Sequence, residues 1–77
     1  MAHADFKIKN GSVHSIKVQP RGKSTQTVKG NESVLVYTSN NEVKITGPFG
    51  LDTTPKVPSN KTVLVERRFG NWSIKFQ

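Results

Sequence analysis

The chain has 77 residues, a formal charge of +7 from twelve Lys and Arg against five Asp and Glu, and no cysteine. That length fits a single domain over residues 1–77, near the lower limit for independent folding. A disulfide scaffold is excluded, and a structural zinc is not expected, because His3 and His14 are the only nitrogen ligands and lack ligand-spaced partners.

Residues Met1 to Asp5 show no charged segment followed by an apolar run, so no signal peptide is expected. No apolar stretch approaches membrane-spanning length. The expectation is a soluble protein made in the cytoplasm, with no cofactor. Nine Val, four Ile and seven Thr against two Ala and three Leu favour strands. No window of eleven residues keeps helical apolar spacing without a Gly, Pro or Asn interruption.

In chain order, Phe6 and Ile8 alternate with Lys7 and Lys9, the period of a half-buried strand. Ile16 and Val18 flank Lys17 in the same way. Residues 24–29 read as a weaker strand at a sheet edge. Val34 to Tyr37 is apolar on both faces and is expected in the centre of a sheet. Val43 and Ile45 then flank Lys44, and Val63 to Val65 gives a second run expected to be central. Last, Trp72, Ile74 and Phe76 share one face, expected in the core, while Ser73, Lys75 and Gln77 share the other.

Turn residues punctuate these runs at Asn10-Gly11, Pro20 to Gly22, Gly30-Asn31, Ser39 to Asn41 and Gly70-Asn71. Ser39 to Glu42 is expected to close one hairpin and Phe69 to Trp72 another. Seven strand candidates at short spacing predict an all-β, antiparallel, immunoglobulin-like β-sandwich, with a five- to six-stranded barrel as the second choice. Residues 47–61 break the rhythm with prolines at 48, 55 and 58, which predict a stiff, ordered loop. Asn-x-Ser/Thr triplets begin at Asn10, Asn31, Asn60 and Asn71, and turn chemistry accounts for them better than glycosylation.

Three groups are candidate contact residues. Lys7, Lys9, Lys17, Lys44 and Lys75 all lie opposite apolar strand residues, and on one sheet they would make a cationic plane. Exposed lysines also serve plain solubility and edge protection. Arg21 and Lys23 in one turn, and Arg67 and Arg68 before another, place all three arginines where a guanidinium can grip phosphate or carboxylate. Phe49 stands between Gly47-Pro48 and Gly50, ready either to enter a partner's pocket with help from Leu51 or to cap its own domain.

The five acids are scattered, no phosphate-cradling loop opens a helix, and no small-molecule site is evident, so enzymatic activity is not expected. The leading expectation is a structural accessory module that docks onto a larger assembly, such as a phage capsid decoration or minor virion protein, through a protein partner or self-assembly. The alternative is an electrostatic nucleic-acid-binding domain. It is weakened because only Phe49 and Phe69 are expected to project for base stacking. A carbohydrate-binding role ranks third, since the one Trp is expected in the core.

Overall fold

The computed structural model describes residues 4–38, 41–58 and 60–77. Within them lie β1 (Ala4–Asn10), β2 (Ile16–Pro20), β3 (Gln26–Val28), β4 (Ser33–Thr38), β5 (Val43–Thr46), β6 (Asp52–Thr53), β7 (Thr62–Arg68) and β8 (Asn71–Phe76). They form two four-stranded sheets, the first in the order β4-β1-β7-β8 and the second β3-β2-β5-β6. The sheets form a small sandwich and do not close into a barrel. Every pairing is antiparallel except that of β1 with β7, which run parallel with Ile8 opposite Val63.

The period-two pattern decides which side chains meet between the sheets. In β2, Ile16 and Val18 are buried while Lys17 and Gln19 face water. Among the described residues the core holds twelve apolar side chains, ten of them Val or Ile. Their branched Cβ favours the extended backbone, so the residues that make strands also fill the interior.

Three expectations need correction. Val34 to Tyr37 is not central, because among the described residues β4 is an edge strand paired with β1 alone, burying Val36 and exposing Leu35 and Tyr37. The central place goes to lysine-bearing β1. A sheet with one face in water needs apolar residues on one side only, so apolarity on both sides does not mark its middle. Nor do the strands around Ser39 to Glu42 form a hairpin, since β4 and β5 belong to different sheets; Ser39 and Asn40 themselves lie outside the described residues. Finally, the 47–61 segment contains β6, paired to β5, and a bridge from Lys56 to Glu42, with Leu51 and Val57 in the core.

One buried polar side chain holds the sheets in place at the end of β1. Asn10 is fully buried, and its Nδ2 donates to the carbonyls of His14 (2.6 Å), Val28 (3.0 Å) and Lys29 (3.2 Å). Its Oδ1 accepts from the Ser12 amide at 3.0 Å and the Ser12 hydroxyl at 2.7 Å. The carboxamide thus ties the first sheet to the crossing into β2 and to the end of β3. Gly30 completes the joint, since a Cβ there would lie 2.8 Å from the backbone of Val13.

Replacing Asn10 by Ala would strip partners from several buried groups at once, at about 1 kcal/mol or more each. The expected loss is about 3–5 kcal/mol, a large share of the roughly 4–12 kcal/mol usual for a domain this size. Urea denaturation of Asn10→Ala measures it. Asn10→Asp turns the donor into an acceptor facing three carbonyls, so its folded pKa should rise above the unfolded value of about 3.9. The stability of that variant should be greatest below that pH and fall as pH rises through the raised folded pKa.

Candidate contact site at one end of the sandwich

Asn10, the start of β2 and the end of β5 lie at the same end of the sandwich, because β2 pairs with β5 antiparallel. The parallel β7 runs past Asn10 in that direction, so the β7–β8 turn projects there too. Phe49 and Phe69 are the tips of two turns at this end, 63% and 98% exposed. Val13, in the β1–β2 connection, is exposed as well.

Both phenylalanines adopt a backbone conformation that bulky residues avoid. Phe49 and Gly50 have φ of 58° and 78°, and Phe69 and Gly70 have 51° and 79°. Successive positive φ angles at the two central residues make a type I′ turn, whose twist matches a hairpin and whose first position favours Asn. A phenylalanine there carries strain of roughly 1–2 kcal/mol. Two such turns at one end hold apolar rings in water.

Side chains behind the tips pack against Phe49 and its turn. The Arg67 guanidinium lies 4.2 Å from the centre of the Phe49 ring and 5.6 Å from that of Trp72. His14 meets Phe49 edge-on at 5.0 Å. The Trp72 indole Nε1 donates to the Pro48 carbonyl at 3.0 Å, pinning the base of the Phe49 turn. Arg67 reaches these rings because Val63, Val65 and Arg67 occupy the inward face of β7, and Arg67 pairs across the strands with Trp72.

The other expected contact residues are dispersed. Leu51 is 6% exposed and belongs to the core, so it cannot assist Phe49 in a contact. The lysines do not make one plane: Lys7, Lys9 and Lys75 lie on the outer face of the first sheet, and Lys17 and Lys44 on that of the second. Arg21 and Lys23 occupy the end opposite Phe49, where Arg21 pairs with Glu42 at 3.6 Å. Arg67 and Arg68 diverge, since alternation sends Arg68 outward to Glu66 at 3.3 Å, which also holds Lys75 at 3.8 Å.

Of the three side chains expected in the core from β8, Trp72 and Ile74 are half-buried and pack against it, whereas Phe76 is exposed on an edge strand. Continuing the alternation of Val63 and Val65 by one step would have assigned Arg67 to the inner face. Among the described residues no group of three His, Cys, Asp or Glu side chains could hold a metal ion. Among the described residues no helix is long and apolar enough to cross a membrane.

The strain gives a direct expectation. Phe69→Asn should raise stability by about 1 kcal/mol, visible as a rise of roughly 4–8 °C in Tm. Phe49→Asn should change it little, because relief of strain is offset by losing the Arg67 and His14 contacts, worth about 0.5–1 kcal/mol. Parallel thermal melts separate the two cases.

No protein-family model, curated protein or solved structure matches this chain, so its functional reading rests on these side chains alone.

Proposed function

We propose that this chain is a non-enzymatic docking module that seats its Phe49–Phe69 end against a protein partner within a larger assembly. The observation that carries the reading is the exposure of two phenylalanines at strained turn positions where asparagine would be easier. Both rings suit the anchor role of aromatic residues at protein interfaces, and the Arg67 and His14 contacts to Phe49 reduce the ordering cost of binding for that ring. Arg67 beside Phe49, with a chain charge of +7, favours a partner whose surface is acidic around an apolar pocket.

The nucleic-acid alternative draws support from Lys7, Lys9 and Lys75 sharing one outer face, with Tyr37 beside them. Glu66 opposes it by engaging Lys75 and Arg68 on that same face.

The test compares partner recovery from native extracts by tagged wild type and by the Phe49→Asn/Phe69→Asn double variant, both proven folded by their melts. Recovery should fall at least tenfold for the double variant. Equal recovery would remove this end of the sandwich as the docking surface. In parallel, oligonucleotide binding should be undetectable at 50 mM salt. Affinity that falls with a log–log salt slope of about −3 would select the lysine face instead.

A further inference from the structure

We propose that β4 is a self-pairing edge, through which two copies of this chain join their first sheets into one continuous eight-stranded sheet. The hydrogen-bond phase of β1 sets this up. The Asn10 amide bonds to the Glu32 carbonyl, while the Gly11 amide bonds to the Val65 carbonyl. Even-numbered residues of β1 therefore face β4, and odd-numbered ones face β7. With Ile8 opposite Val34 and Phe6 opposite Val36, those two β4 residues spend their backbone groups on β1. Ser33 and Leu35 turn theirs outward, where no strand meets them among the described residues.

β4 itself carries none of the usual defences of an edge, although the 20–26 connection, with Lys23, lines a cleft beside Leu35 and Tyr37. It is six residues long and has no charged residue and no proline, whereas β3 and β6, the edges of the second sheet, have three residues and two. The remaining edge, β8, bears Lys75. Lysine, proline and short length are the devices by which edge strands avoid pairing. In a chain of charge +7, β4 is an uncharged strand bearing two exposed apolar side chains, Leu35 and Tyr37.

The occupant that fits is a second β4. Antiparallel pairing about a twofold axis through Leu35 sets Leu35 against its own copy and Val34 against Val36 of the other chain. The two Leu35 residues then exchange both backbone hydrogen bonds, and their side chains touch on the outer face. Charge allows it as well. Lys7 lies one strand in from Leu35, so the two Lys7 residues stand three strand spacings apart, about 14 Å. That exceeds the screening length of about 8 Å at physiological salt. The contact is small, so the dimer should depend on concentration.

Sedimentation of the wild-type protein from micromolar to millimolar concentration, with amide hydrogen exchange at each, tests the proposal. The expected result is a monomer–dimer equilibrium in which Leu35 amide exchange slows at least tenfold as dimer forms. Leu35→Pro removes an amide that the monomer does not use, at an edge position that tolerates proline. It should abolish the dimer and leave the melt cooperative. Leu35→Lys, which keeps the backbone intact, should weaken association at least tenfold. A wild type that stays monomeric at 1 mM, a dimer with Leu35 exchange unchanged, or a dimer that survives both substitutions would overturn the pairing. Because Phe49 and Phe69 are untouched, partner recovery by Leu35→Lys reports separately on the docking end.

Discussion

The architecture hinges on one carboxamide. A two-sheet protein must cross between its layers, and each crossing leaves backbone groups that neither sheet can satisfy. At one end of this sandwich Asn10 meets that need, donating to three carbonyls and accepting from Ser12. No apolar residue could do so, and the position belongs to a strand whose other inward side chains, Phe6 and Ile8, are apolar. A buried polar group of this kind costs little when fully partnered and a great deal when not. The turns bearing Phe49 and Phe69 project from the end it secures.

Those turns show the reverse economy. Asn10 removes strain and exposure, while Phe49 and Phe69 introduce both. Type I′ geometry would accept asparagine or glycine without penalty, so the rings are not explained by folding. Strained backbone persists where surrounding structure over-determines it. Around Phe49 that structure is visible in Arg67, Trp72 and His14. Around Phe69 it is the tight β7–β8 ladder, in which Arg68 and Asn71 close the turn.

Much of the fold was legible because alternation is local. Phe6 and Ile8, Ile16 and Val18, and Val43 and Ile45 each announced a strand and its inward face, and residues 24–29 contain the edge strand β3. Strand order was not legible, because it depends on pairings between distant segments, so Val34 to Tyr37 looked central and the β4–β5 connection looked like a hairpin. The two-residue β6 is too short to leave a pattern. Phe49 was recognised as a projecting ring from its glycine neighbours, but its support was not. Arg67, Trp72, His14 and Pro48 converge only through the parallel placement of β7 and the return of β5, which no spacing encodes. The split of the lysines between two outer faces follows from the same hidden order.

The parallel pairing of β1 with β7 carries a kinetic consequence. Parallel strands cannot be joined by a tight turn, and here more than fifty residues separate Ile8 from its partner Val63. While a ribosome is still making the chain, β1 can gain β4 on one flank but must wait on the other for the closing β7–β8 hairpin. During that interval the middle of the future sheet is an open edge, and the closure that ends it spans nearly the whole domain, a slow step by its contact order. The domain is therefore open to mispairing until β7 and β8 have joined it, and whether β1 is flanked on both sides is decided by strands more than fifty residues later in the chain.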